Sequence, residues 1–242
     1  MNKNYALALA ARLAHIGILQ YIEEKNIEIN EISTSMAVVA FYAIKSVEEM
    51  KEFAKSINYL SMDPDFKTGL LKKKIEKKLT EIFDLNIEDT KIPLKIVATN
   101  LEAAEVKVFE KNIVDAIRAS ISLPIFIPKT IDANMYIDGI MMSLPIDILN
   151  NKNVIAISAL KINKPVVKQK SFLISFKTFW KNNIEIIKRS AILMMKSNED
   201  SSLRTKKNIF FLRPEFNLDI ADFNKVDEFI ELYSEAKKNI VL

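Results

Sequence analysis

The chain has 242 residues, 49% of them hydrophobic and 27% charged, which is enough for one large core and too apolar for a disordered polymer. Its formal charge of +4 is carried by lysines spread along the whole length, so no basic arm marks it for nucleic acid, and weak attraction to anionic surfaces is what remains. Cysteine is absent, which excludes disulfides, thiolate catalysis and cysteine metal sites.

In chain order, Tyr5–Leu9 reads as a buried strand, and Leu13–Lys25 carries apolar residues at helical spacing. A second strand runs over Ile27–Ser33. The small apolar stretch Ser35–Ile44 suits a helix buried on a sheet. Ser46 and Glu49 have capping-box spacing and start another helix. Leu70–Phe83 places Leu71, Ile75, Leu79 and Ile82 on one helical face. Leu94–Thr99 reads as a central strand with Val106–Phe109 nearby, and Asn112 caps a helix reaching Ser122. Met135–Ile137 is a short strand that runs into Asp138, and Asn153–Ser158 is another buried strand. Phe172–Met195 is largely helical, and the polar Asn198–Lys207 reads as a loop. A strand over Ile209–Arg213 and a helix over Asn224–Asn239 close the chain. Short apolar strands alternating with helices predict one domain over 1–242, with a sheet covered on both faces.

No run of 18 apolar residues predicts a membrane span, and the N-terminus lacks a signal-peptide pattern. A cytoplasmic protein with peripheral contact at the inner face of the membrane is expected. No acidic or histidine cluster has metal-ligand spacing, and His15 is the single histidine. No metal or organic cofactor is implied.

Ser35 falls where a strand gives way to a small-residue helix. Such a turn exposes a side chain near amide donors that stabilise a developing oxyanion. Ser33 and Thr34 compete with Ser35 as helix cap or nucleophile on the same argument. Asp138 precedes Gly139, and Asp-Gly is also an ordinary turn signal.

Several motifs then line up in one order. They are Arg12-Leu13-Ala14-His15-Ile16-Gly17, Ser33-Thr34-Ser35-Met36-Ala37, Ile96-Val97-Ala98-Thr99-Asn100-Leu101, Arg118-Ala119-Ser120-Ile121-Ser122-Leu123-Pro124 and Tyr136-Ile137-Asp138-Gly139. In this the chain resembles bacterial patatin-like phospholipases over most of its length. The resemblance implies a three-layer α/β/α hydrolase with a mainly parallel central sheet. It implies Ser35 as nucleophile and Asp138 as its base, acting on phospholipids or related acyl esters. Ala10, Ala11 and Arg12 take the place of the oxyanion loop, and His15 is assigned a structural role. An apolar pocket is expected from Met36, Phe41, Ile125, Phe126 and Met141. A soluble esterase or thioesterase with the same pair is an alternative, as is an inactive lipid-binding or membrane-regulatory module.

The departures from that family pattern share one character. The chain has three glycines where ordinary usage gives about 17. None flanks Thr34-Ser35-Met36, and the glycine run before Arg12 is reduced to Ala10-Ala11. An elbow and an oxyanion loop without glycine turn poorly. The selectivity of the loss implies additional residues in the natural chain at Leu9–Arg12, Arg12–Leu13, Ser33–Thr34, Met36–Ala37 and Pro124–Ile125. Without them, a catalytically inactive relative is expected.

Overall fold

The structure is a computed structural model that describes residues 4–10, 15–35, 37–61, 77, 79–83, 85–120, 122, 129–142, 144–158, 176–205, 208–212 and 227–228; for 10, 37–38, 54, 56–61, 140 and 176–188 it describes the backbone alone. Strands β1 (Tyr5–Ala10), β2 (Ile29–Thr34), β3 (Leu94–Asn100), β4 (Glu105–Phe109), β5 (Lys129–Ile131), β6 (Asn134–Asp138), β7 (Asn153–Ser158) and β8 (Asn208–Leu212) form one eight-stranded sheet. The helices are α1 (His15–Glu24), α2 (Ala37–Tyr42), α3 (Val47–Ser61), α4 (Ile113–Ser120) and α5 (Phe176–Ser202).

The β3-β2-β1-β7-β8 body of the sheet is parallel throughout. The β4, β5 and β6 pairings are antiparallel. Parallel neighbours need crossover helices, and these cover both faces with apolar side chains. The alternation of β1 shows this directly. Leu7 and Leu9 pack with Ile16, Leu19, Phe41, Met50 and Ile117 from α1, α2, α3 and α4. Ala6 and Ala8 point the other way, into a smaller cluster with Leu144, Ile146, Leu149 and Met195 of α5. The result is a mostly parallel sheet between two helical layers. Burying both faces of the strands supplies the main stabilisation, at about 25 cal/mol per Å² of apolar surface.

Most expected elements lie within two residues of their place. The Ser46 cap forms as predicted: the Ser46 amide donates to Glu49 Oε2 at 3.1 Å, and the Glu49 amide donates to Ser46 Oγ at 3.3 Å. The Asn112 cap forms as well, with Oδ1 accepting the Asp115 amide at 3.0 Å. Three differences stand out. Strand β5 was not expected. Residues 198–202, expected in a loop, continue α5 because Ser201 and Ser202 hydroxyls bond back to the carbonyls of Ser197 and Asn198, at 2.9 and 3.0 Å. Glu199 and Ser202 are also buried. Finally, β2 pairs in register through Ser33–Thr34, one of the junctions where added residues were expected, with Ser33 opposite Ala8 and Thr34 opposite Leu9. The other four junctions where added residues were expected lie wholly or partly outside the described residues. The helix expected over Leu70–Phe83 is described at 77 and 79–82, where the backbone is helical. Only 227–228, also helical, are described from the expected closing helix.

Candidate active site

The register of β3 fixes the geometry. β4 pairs with β3 from Ile96 to Asn100 and so occupies one edge of that stretch. On the opposite edge β2 pairs with Leu94–Ile96, ending with Thr34 opposite Ile96. β6 pairs on the same opposite edge with Ala98–Asn100, ending with Asp138 opposite Ala98. A residue has one partner per edge, so β2 and β6 share this edge of β3 and meet end to end. The gap between them is the width of Val97. Thr34 and Asp138 are thus two residues apart along β3, about 7 Å at strand rise. Ser35, the next residue after Thr34, enters that gap as the chain leaves for α2.

The surroundings sort the three competing hydroxyls. Ser33 Oγ donates to the Pro145 carbonyl, and Thr34 Oγ1 donates to the Leu9 carbonyl at 3.1 Å. Ser35 is fully buried, and its Oγ has no hydrogen-bond partner among the described residues. A buried hydroxyl left unmatched costs about 1–3 kcal/mol, so fold stability alone does not explain it. Asp138 is 7% exposed. Its amide donates to the Ser122 carbonyl at 2.8 Å, and its carbonyl accepts Thr99 Oγ1 at 3.0 Å. The backbone carrying the carboxylate is therefore held on both sides.

Gly139 explains how the chain escapes from the crowded gap. A β-carbon there would lie 2.6 Å from the Val97 carbonyl oxygen and 2.7 Å from Val97 Cγ2. Only a residue without a side chain passes so close to the middle of β3. The following turn, Gly139–Met141, is held from the other layer by Asn198 of α5, whose Nδ2 donates to the Met141 carbonyl at 2.5 Å. The sequence offers Ser122 only as part of the Arg118–Pro124 motif and Asn198 only as the start of an expected loop, with no site role for either. Each acts through the backbone or through a long-range contact, which leaves no local pattern.

Ala10 closes β1, with Leu9 opposite Thr34 and Ala10 opposite Ser158. The strand order reverses here, β2 and β3 lying to one side of β1 and β7 and β8 to the other. Open α/β sheets bind ligands outside the carboxyl ends of strands at such a point. Ala11, Arg12, Met36, Ile125 and Phe126 lie outside the described residues. His15 is fully buried in the first turn of α1.

Two of the residues expected in the pocket are among those described. Phe41 stacks on Phe53 at 4.7 Å between ring centres and meets Phe83 edge-on at 5.6 Å, inside the larger core. Met141 packs against the smaller core. One departure from an elbow is also visible. The described non-glycine residues with positive φ are Asn26, Ala104, Asp132 and Ala133, so Ser35 does not adopt the left-handed backbone. Among the described residues, no helix is long and apolar enough to cross a membrane, and no three His, Asp or Glu side chains gather as a metal site.

No family model matches the chain. An uncharacterized NTE family protein of Mycobacterium bovis is 34% identical over 152 residues, covering 55% of this chain and 42% of that protein. Uncharacterized NTE family proteins of two Mycobacterium tuberculosis strains match to the same extent. The chain spans less than half the length of these relatives. Over about half of its own length, and at the level of a family, the chain is similar to NTE family proteins.

Proposed function

We propose that this chain is a serine hydrolase cleaving acyl esters of phospholipids or related lipids, with Ser35 as nucleophile and Asp138 as base. The observation that carries the reading is the end-to-end meeting of β2 and β6 on one edge of β3. Ser35, a buried residue whose hydroxyl has no hydrogen-bond partner among the described residues, follows the end of β2, and the buried Asp138 ends β6, which supports pairing them. Similarity to NTE family proteins and the resemblance to patatin-like phospholipases point the same way.

Asp138 accepts the proton of Ser35 Oγ as that oxygen attacks the ester carbonyl. The carbonyl oxygen gains the charge, and backbone amides of Ala10, Ala11 and Arg12 donate to it. Collapse breaks the acyl–oxygen bond, and the alcohol leaves with the proton from Asp138. Water then gives a proton to Asp138 and attacks the acyl-serine, releasing the acid and restoring Ser35. No histidine is needed in this scheme, in which the carboxylate takes the hydroxyl proton itself.

A fluorophosphonate probe tests this. Wild type should label, and Ser35→Ala should not. Asp138→Asn should keep the fold and lose about 10³-fold in ester turnover, a typical contribution of a general base. Equal labelling of wild type and Ser35→Ala rejects Ser35 as nucleophile, and near-normal turnover in Asp138→Asn rejects the base. A second reading, an inactive lipid-binding module, is favoured by the ordinary backbone of Ser35 and the absence of flanking glycine. A wild-type chain that binds lipid vesicles yet never labels supports that second reading.

A further inference from the structure

The chain leaving Asp138 enters the turn Gly139–Met141, and α5 packs on this turn. Up to Gly139 the backbone is fixed from within the sheet layer. The Ser122 carbonyl accepts the Asp138 amide, Thr99 Oγ1 donates to the Asp138 carbonyl, and Val97 leaves no space beside Gly139. Past Gly139 the hold comes from the helical layer: Asn198 Nδ2 donates to the Met141 carbonyl at 2.5 Å. Met142, the next residue, is 38% exposed, so water reaches this stretch. A hydrogen bond that replaces solvation adds little to stability. What it adds here is a fixed direction for the chain that leaves the carboxylate.

Asn198 is itself held firmly. One turn before it, Met195 is buried in the smaller core, which Met141 also joins. One turn after it, Ser202 Oγ donates to the Asn198 carbonyl at 3.0 Å. Thr205 Oγ1 then donates to the Ser202 carbonyl at 2.7 Å and to the Asp147 carboxylate. The end of α5 is thus tied to the chain on both sides of Pro145, whose carbonyl accepts Ser33 Oγ, two residues before Ser35. A side chain that orients another group must have its own rotamer and element locked in this way.

We infer that Asn198 is a positioning residue for the base: by holding the Met141 carbonyl it keeps the Gly139–Met141 turn, and with it the Asp138 carboxylate, in a fixed place relative to Ser35. The inference rests on the Ser35–Asp138 reading and deepens it, naming a residue on a distant helix that sets the rate. A general base works only within hydrogen-bond reach of the proton it takes. A misplacement of about 1 Å lowers turnover by about 10²-fold. A displaced base lowers kcat and leaves KM unchanged, because it acts in the transition state and not in ester binding.

The experiment compares wild type, Asn198→Ala, Asn198→Asp, Asn198→Gln and Ser201→Ala as full chains, with p-nitrophenyl butyrate as the ester. Asn198→Ala should lose about tenfold or more in kcat at unchanged KM. Asn198→Asp should lose at least as much, because its carboxylate sets a second acceptor against the Met141 carbonyl. Asn198→Gln keeps the amide donor and should recover part of the rate. Ser201→Ala removes a bond within the same helical turn, from Ser201 Oγ to the Ser197 carbonyl, and should keep wild-type kcat. Hydrogen exchange gives a readout that needs no turnover. In Asn198→Ala the amides of Asp138 and Met142 should exchange about tenfold faster, with those of β1 unchanged. Thermal midpoints confirm that each variant is folded. Wild-type kcat in folded Asn198→Ala overturns the inference, as do unchanged exchange at both amides and an equal loss of kcat in Ser201→Ala. Failure of the hydrolase reading shows in a different place: wild type itself neither labels with fluorophosphonate nor turns over, and the inference then falls with it.

Discussion

Gly139 and Ser35 show how much single residues decide here. Gly139 has no unusual backbone angle to favour glycine; what it lacks is volume. Its missing β-carbon would fall 2.6 Å from a backbone oxygen of Val97, and backbone in the middle of a paired strand does not give way as a flexible side chain does. Gly139→Ala must therefore displace β3 or the β6 terminus that carries Asp138. Overpacking of this kind costs about 1–3 kcal/mol, and urea unfolding should show a loss of that size. Ester turnover should fall further than the stability loss explains, because the shift lies next to the carboxylate. An alanine variant with wild-type stability and turnover would show that the contact relaxes freely. The role of Gly139 was only half legible in the sequence. The pair Asp138-Gly139 announces a turn, but the closeness of Val97 depends on β2 and β6 ending on the same edge of β3. The same holds for the choice among Ser33, Thr34 and Ser35. Their sequence context is nearly identical, and only the carbonyls of Pro145 and Leu9 distinguish them.

At the scale of elements, the scarcity of glycine is met by alanine in unfavourable places. The β5–β6 hairpin turns through Asp132 and Ala133 with φ of 48° and 64°. Two positive angles in a two-residue turn match the right-handed twist of the strands, and they favour Asn-Gly or Asp-Gly. Asp132 tolerates this conformation through its short polar side chain, whereas Ala133 is strained by its β-carbon. Ala133→Gly should accordingly raise stability by about 1 kcal/mol, measured as a higher urea midpoint with unchanged slope. A lower midpoint would mean that the alanine methyl packs usefully. This hairpin also marks a limit of reading by pattern. Lys129–Ile131 is three residues long, with no alternation to show. By contrast, β1 and β7 are nearly continuous apolar runs, as strands buried on both faces tend to be, and β3 has an apolar centre; these were legible. The polar end of α5 misled in the opposite direction. Ser-Asn-Glu-Asp-Ser-Ser resembles a loop in composition, yet its serines close back onto the helix and its glutamate faces inward.

At the scale of the whole molecule, the sheet has two ends with different chemistry. The candidate active site occupies the carboxyl ends of β1 and β2, and the opposite end is tied by a buried ionic knot. Glu31 accepts Lys95 Nζ at 2.7 Å, the Asn150 amide at 2.7 Å and the Asn151 amide at 3.3 Å. Lys95 also donates to the Ile148 carbonyl at 2.5 Å. The knot pins the segment leading into β7 against β2 and β3, and Ser33 fastens the same segment through Pro145. Burial alone raises the Glu31 pKa, but the Lys95 bond and the two backbone amides outweigh it, so its carboxyl titrates below the usual carboxylate value. A depressed folded-state pKa means the unfolded chain binds its proton first as pH falls. The knot's contribution is therefore complete above the ordinary carboxylate range, and it declines as pH drops through the folded-state value. Glu31→Gln removes the charge while leaving Lys95 half-buried, a loss of about 2 kcal/mol near neutral pH on the scale of a charged hydrogen bond. The difference in unfolding free energy between wild type and Glu31→Gln should shrink as pH is lowered into the acid range. A constant difference across that range would mean that packing around the glutamine, not the carboxylate charge, sets the loss. Ester turnover tests the separation of the two ends: if only the far end of the sheet is weakened, Glu31→Gln keeps its turnover under conditions where it is still folded.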